Sequence, residues 1–172
     1  MSKMFRQFFK HKHTGGDSEK VDYNDLKNAP TSSTGPTSHV EAIRNSYRDI
    51  PTTDTLVPFS TIIVDADSEM TLAGLFTAKK AGLYSYKFVG TNLMFGTGTG
   101  YTVVKLLKNS SVEMENVESF INEEAQYHIF SICTDIQLNA GETLSLKARK
   151  TATTFTSRWQ GGKTRLSITQ LR

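Results

Sequence analysis

The chain has 172 residues, of which 37% are hydrophobic and 22% charged, with 20 Lys+Arg against 17 Asp+Glu. That length holds one ordinary domain plus an extension and excludes two full-sized domains. No run of about 18 apolar residues occurs, so no membrane-spanning helix is expected. The basic N-terminus is not followed by an apolar stretch of about 7–15 residues, so no secretory signal peptide is expected either.

Charge is unevenly spread. Lys3, Arg6, Lys10 and Lys12 stand in residues 1–13 without an acid, whereas residues 51–172 carry eleven acids against twelve bases. A near-neutral body argues against a nucleic-acid-binding domain, and leaves the N-terminal tip as the place for an electrostatic partner. The single cysteine, Cys133, excludes an intramolecular disulfide framework. It lies in the apolar run His128–Ile136 and is expected to be a buried free thiol.

In chain order, Met1–Asn28 comes first. Met4, Phe5, Phe8 and Phe9 fit one face of a short helix, too short to be stable alone, so it needs a docking surface. Phe5, Phe8 and Phe9 are the candidates for attachment to a larger assembly. A membrane-surface peptide and a frayed terminus are the alternatives. Residues 29–55 read as a linker: Ala29–Ser38 holds two prolines, one glycine and six Ser/Thr. Within it, Val40–Tyr47 is predicted as a short helix with Ser38 as N-cap.

Residues 56–172 read as all-β. Strands are predicted at Phe59–Val64, Thr71–Phe76, Leu83–Phe95, Tyr101–Lys108, Val112–Phe120, Tyr127–Leu138, Thr143–Arg149, Thr153–Trp159 and Thr164–Leu171, the last two joined through Gly161 and Gly162. In Leu83–Phe95, Tyr84, Tyr86 and Phe88 share one face and Ser85 and Lys87 the other. So many strands in one domain imply a β-sandwich or jelly roll.

Phe76, Ala78, Gly82, Tyr84, Tyr86 and Phe88 follow the pattern F-x-A-x-x-x-G-x-Y-x-F-x-F, with Tyr86 at an F position, that runs through the tumour necrosis factor and complement globular-head superfamily. Val103–Asn109 resembles that family's V-x-L-x-K-N strand. Ile136–Leu146 is similar to its L-x-x-G-D-x-V-x-L turn, and Leu166–Leu171 sits where its final core strand ends. The resemblance covers roughly residues 56–172. It implies a ten-stranded jelly roll assembling as a homotrimer, with ligands bound on the outer surface or between protomers and, as a rule, no enzymatic activity. No Gly-X-Y stalk precedes the body, so another device has to bring three chains together.

Near the start, His11, His13, Gly15, Lys20, Asp22, Tyr23, Asp25, Leu26, Asn28 and Pro30 resemble the H-x-H-x-G-x-D-S-x-K-I-D-Y-x-D-L-x-N-x-P segment of bacteriophage fibre and receptor-binding proteins. This likeness implies a protein on the virion surface, tail or capsid, whose N-terminus meets other virion structural proteins. Independently, two histidines at i and i+2 of an extended strand point to one side. One chain offers too few imidazoles for a closed site, but three chains around an axis offer six, which suits an octahedral ion such as iron or nickel. Solvated histidines are the alternative.

Other signals are weaker. Gly96–Gly100 lacks the Lys-Ser/Thr of a phosphate loop and reads as a hairpin turn. Glu113, Glu115, Glu118, Glu123 and Glu124 read as a solvated face rather than a calcium site. Asn109–Ser111 matches a glycosylation acceptor. Arg158 and Trp159, beside the Gly161–Gly162 turn, are candidates for a receptor-contact patch, while Phe155 suits core or interface packing. The resulting expectation is a non-enzymatic, trimeric virion protein that docks by its N-terminus and contacts a host surface glycan or protein with a jelly-roll head. Alternatives are a head fibre or capsid decoration protein, a bacterial trimeric adhesin and a glycan hydrolase.

Overall fold

The computed structural model describes residues 38–121 and 124–171. Its strands, in chain order, are β1 (His39–Arg44), β2 (Arg48–Asp49), β3 (Thr55–Leu56), β4 (Thr61–Asp65), β5 (Leu75–Thr77), β6 (Gly82–Gly96), β7 (Thr99–Lys108), β8 (Ser111–Ile121), β9 (Gln126–Leu138), β10 (Thr143–Lys150) and β11 (Phe155–Gln170). They form two antiparallel sheets. One runs β4-β1-β11-β6-β9 with β2 added on β11, and the other runs β3-β10-β7-β8 with β5 added on β10. From β6 onward the chain passes back and forth between sheets, the connectivity of a jelly roll.

Period-two patterning explains why the sheets stack. Tyr84, Tyr86, Phe88 and Met94 of β6 face inward, as do Val104 and Leu106 of β7 and Leu144, Leu146 and Ala148 of β10. The core centres on aromatic edges. Trp159 meets Phe88 and Phe130 in T-shaped contacts with centroids 5.8 and 5.7 Å apart, and Phe76 meets Tyr84 at 5.6 Å. Such pairs contribute about 0.5–1.5 kcal/mol each beyond their area burial. Among the buried polar atoms left unmatched is the Tyr86 hydroxyl, which has no hydrogen-bond partner among the described residues; burial pushes its pKa far up.

Two expectations are corrected. Residues 39–44 form a strand, not a helix. Val40, Ala42 and Arg44 point inward and His39, Glu41 and Ile43 outward, so the alternation is two, not 3.6. Pairing with β11 on one side and β4 on the other outweighs local helix propensity. Ser38 is no N-cap: its hydroxyl bonds the buried Glu69 carboxylate, and its carbonyl accepts from Gln170 N at 2.9 Å. The sandwich therefore begins at residues placed in the linker by sequence. Second, Thr153–Trp159 and Thr164–Leu171 are not two strands around a turn. They belong to the single strand β11, which pairs with β6 on both sides of an irregularity between Trp159 and Thr164. Gly161 is required there, because a Cβ would stand 2.6 Å from the Asn45 carbonyl oxygen.

Candidate assembly face and binding loops

Over most of β9 the alternation is ordinary, with Phe130 and Ile132 inward and Ser131 and Asp135 outward. At its start the pattern inverts. Tyr127 and Ile129 stand outward with 63% and 64% of their surface exposed, while His128 turns toward β8. On β6, in register, Leu93 lies opposite Tyr127, Thr91 opposite Ile129, and Val89, 46% exposed, opposite Ser131. Arg165 of β11 flanks Val89 from the other side. The outer face of the six-stranded sheet thus carries an apolar strip bordered by base. Cys133 shares that face, exposed and opposite Lys87, which corrects the expected burial. The β9 alternation around it puts odd-numbered residues outside.

The adjoining edge, β8 and β9, is held across the gap between sheets by polar contacts. His128 Nδ1 lies 3.4 Å from Glu118 Oε2, and Nε2 lies 3.3 Å from Gln126 Oε1. Further along, the strands diverge into a cleft of about 330 Å³, floored by Met114 and Ile136 and rimmed by Lys108, Glu113 and Asp135. Lys108 Nζ donates to Gln137 O at 2.9 Å and pairs with Glu142 at 3.1 Å. The backbone N–H of Asn139 and then Lys108 hold the Glu142 carboxyl below the usual carboxylate range. Among the described residues, no three His, Cys, Asp or Glu side chains converge as a metal site requires.

Of the two residues named for receptor contact, the structure separates one from the other. Arg158 lies on the outer face, its Nε donating to Asp49 Oδ1 at 2.6 Å and its guanidinium 5.6 Å over the Phe95 ring. That hydrogen bond lowers the Asp49 pKa and raises that of Arg158. Trp159 is 2% exposed and belongs to the core, so a receptor cannot reach it without opening the sandwich. Adjacent strand residues point to opposite faces, which is why the pair splits. Phe155 is likewise core.

The Gly96–Gly100 stretch is a turn whose glycines are set by packing. A Cβ at Gly98 would fall 1.9 Å from Thr154 Oγ1, and one at Gly100 would fall 2.4 Å from the Phe155 ring. The turn is pressed onto the loop between β10 and β11. Asn109, in the β7–β8 turn with φ +48°, donates from its amide to Glu142 and accepts from Thr143 N at 2.9 Å. Its side chain thus ties the β7–β8 turn to the start of β10. Phe5, Phe8, Phe9, His11 and His13 lie outside the described residues. The apolar strip itself was missed by sequence reading. Its signal was the run Tyr127–Phe130, where apolar residues fall on both faces of one strand.

No family model and no curated protein matches the chain. Solved structures do share its fold. The globular domain of zebrafish complement 1qA protein is 15% identical, with a TM-score of 0.56 over 78% of this chain and 98% of that one. The Eiger TNF structure from S. frugiperda is 16% identical, with a TM-score of 0.55 over 80% of this chain and 94% of that one. The body is therefore a jelly roll of the complement-head and tumour-necrosis-factor type.

Proposed function

We propose that this chain is a non-enzymatic surface protein of a bacteriophage particle: a homotrimeric fibre or receptor-binding protein whose N-terminus docks to the virion and whose jelly-roll head contacts the host surface. One observation carries the trimer. Tyr127, Ile129 and Val89 put an exposed apolar strip on the outer face of a sheet, with no covering layer among the described residues. Contiguous apolar surface at a sheet face is what an interface supplies. The shared fold with complement and tumour-necrosis-factor heads supports the same reading. Three weak sites held together then gain avidity with no new chemistry. The virion setting is supported by the segment His11–Pro30, and attachment is assigned to Phe5, Phe8 and Phe9. His11 and His13 from three chains would offer an octahedral iron or nickel site. Arg158, held by Asp49 and Phe95, is the candidate for host contact, with a surface glycan or protein as its ligand.

Light scattering of the full chain is the direct test: a mass about three times 19.1 kDa is expected, and a clean monomer would sink the reading. Immunogold electron microscopy of particles separates tail fibre from a capsid decoration with a purely structural role, and absence from particles would favour a bacterial adhesin. Release of soluble sugar from host-envelope polysaccharide would replace the binding reading with a hydrolase. Replacing His11 and His13 with Ala should remove bound metal; unchanged metal content would leave them without that role.

A further inference from the structure

The described chain enters the sandwich at Ser38, beside Gln170, and β1 carries it to Arg44 at the other end, roughly 20 Å away at the usual strand rise. Gathered at that far end are the β1–β2 turn, β2, the β6–β7 turn and the β10–β11 loop, with Phe155 opposite Gly96 and Arg158 opposite Asp49. Bases dominate the chain that builds it. Residues 143–172 hold seven Lys and Arg and no acid, and residues 93–101 hold no charge. Arg48 and Lys163 are exposed and Lys150 is half-buried; none of them has a carboxylate within ion-pair distance among the described residues. Arg44 is buried, also without such a partner, and donates to the Pro58 carbonyl; burial and then the Arg48 charge lower its pKa. The acids of this end are fewer. Asp54 is shared by Lys105 and Arg149, Glu118 faces His128, and Glu124 stands alone in the β8–β9 loop. Asp49 accepts from Arg158 at 2.6 Å, which lowers its pKa most, and the Lys150 charge lowers it further.

Clustered cations without counter-charges set up a field that concentrates anions. Guanidinium groups suit carboxylate and phosphate in particular. Tyr47, 61% exposed in the β1–β2 turn and near enough to act on the Arg158 charge, adds an aromatic face with a polar tip. Arg48 stands opposite Trp159 and Asp49 opposite Arg158, so Arg48 and Arg158 point to different sides of the end. A single small anion cannot meet both, whereas a chain with repeated charges can cross from one to the other. We propose that this end binds an acidic polysaccharide of the host surface, its carboxylate or phosphate groups meeting Arg48, Arg158 and Lys163 and a sugar ring lying against Tyr47. This rests on the reading above of a head held by its N-terminus, and names the chemistry of the host ligand.

Biolayer interferometry of the full chain on immobilised polymers tests it. Polygalacturonate supplies carboxylates, a phosphomannan supplies phosphates, and dextran is the neutral control. Either acidic polymer should be held and dextran not, and added salt should weaken the binding. Free galacturonic acid should compete poorly at equal charge, and a DNA duplex should be held more weakly because it is too stiff to cross the end. Arg48→Ala with Arg158→Ala should lower affinity by roughly tenfold or more. Asp49→Asn decides the sign of the charge requirement: it frees Arg158 and should tighten binding by about threefold. Far-UV circular dichroism checks that each variant is folded, and Arg48→Gln with Arg158→Gln repeats the test if the alanine pair is not. Dextran or DNA held as well as the acidic polymers, unchanged binding in the paired variants, or weaker binding in Asp49→Asn overturns the proposal. So does the absence of any binding by wild type. None of these results touches the threefold mass or the particle location, on which the reading of the head itself stands or falls.

Discussion

The two faces of β6 and β9 differ in a way that separates folding from assembly. Inward, Phe88 and Phe130 meet Trp159 and are sealed by the second sheet. Outward, on the same strands, Val89, Tyr127 and Ile129 are equally apolar and stay exposed. A sheet with one solvated face should alternate apolar and polar; strands apolar on both faces belong to sheets covered twice. The inner face is covered by the second sheet, and the outer strip has no cover among the described residues.

Mutations on opposite faces should therefore act on different observables. Trp159→Ala empties the centre of the core and should cost about 3–5 kcal/mol, read as a large fall in melting temperature of whatever species is present. Ile129→Asp, two strands away on the outer face, should leave the fold intact and reduce the mass from three chains to one; an unfolded variant would make the two faces equivalent and remove the distinction. Tyr86→Phe deletes the unpartnered core hydroxyl and should stabilise the chain by about 1 kcal/mol in denaturant titration. A loss of stability there would mean the hydroxyl is satisfied. The smallest effect belongs to the Arg158–Asp49 pair, which is exposed and screened by solvent. Because Arg158 depresses the Asp49 pKa, the pair's stabilisation is present above the ordinary carboxylate pKa and is lost as pH falls through the lowered one. Arg158→Ala should thus destabilise slightly at neutral pH and converge with wild type in strong acid.

Long alternating runs made most of the sandwich readable from sequence. Leu83–Phe95, Tyr101–Lys108 and Thr143–Arg149 became β6, β7 and β10, with Tyr84, Tyr86 and Phe88 inward as expected. Short segments were not readable. Residues 39–44 offered a helical start signal, and pairing with β4 and with β11, the latter more than a hundred residues away in sequence, makes them β. Gly161 and Gly162 looked like a hairpin, since a bulge and a turn demand the same residue type. Of the two residues named for contact, Arg158 lies on the outer face, but Trp159 was placed on the wrong side, because a cluster in sequence ignores which way a strand points its residues. Tyr127 and Ile129 escaped notice because an apolar run in a strand reads as core until the covering layer is known.

The order of strands in the larger sheet carries a last consequence. β11, made last, is not at an edge but between β1 and β6. Until the ribosome has released Phe155–Gln170, the sheet exists only as two separate ribbons, β4 with β1 and β6 with β9, each with a bare edge. Closure must wait for β11, and contacts so distant in the chain belong to slow-folding topologies. Removing β11 would therefore not trim the sheet but take out the keystone that joins its halves.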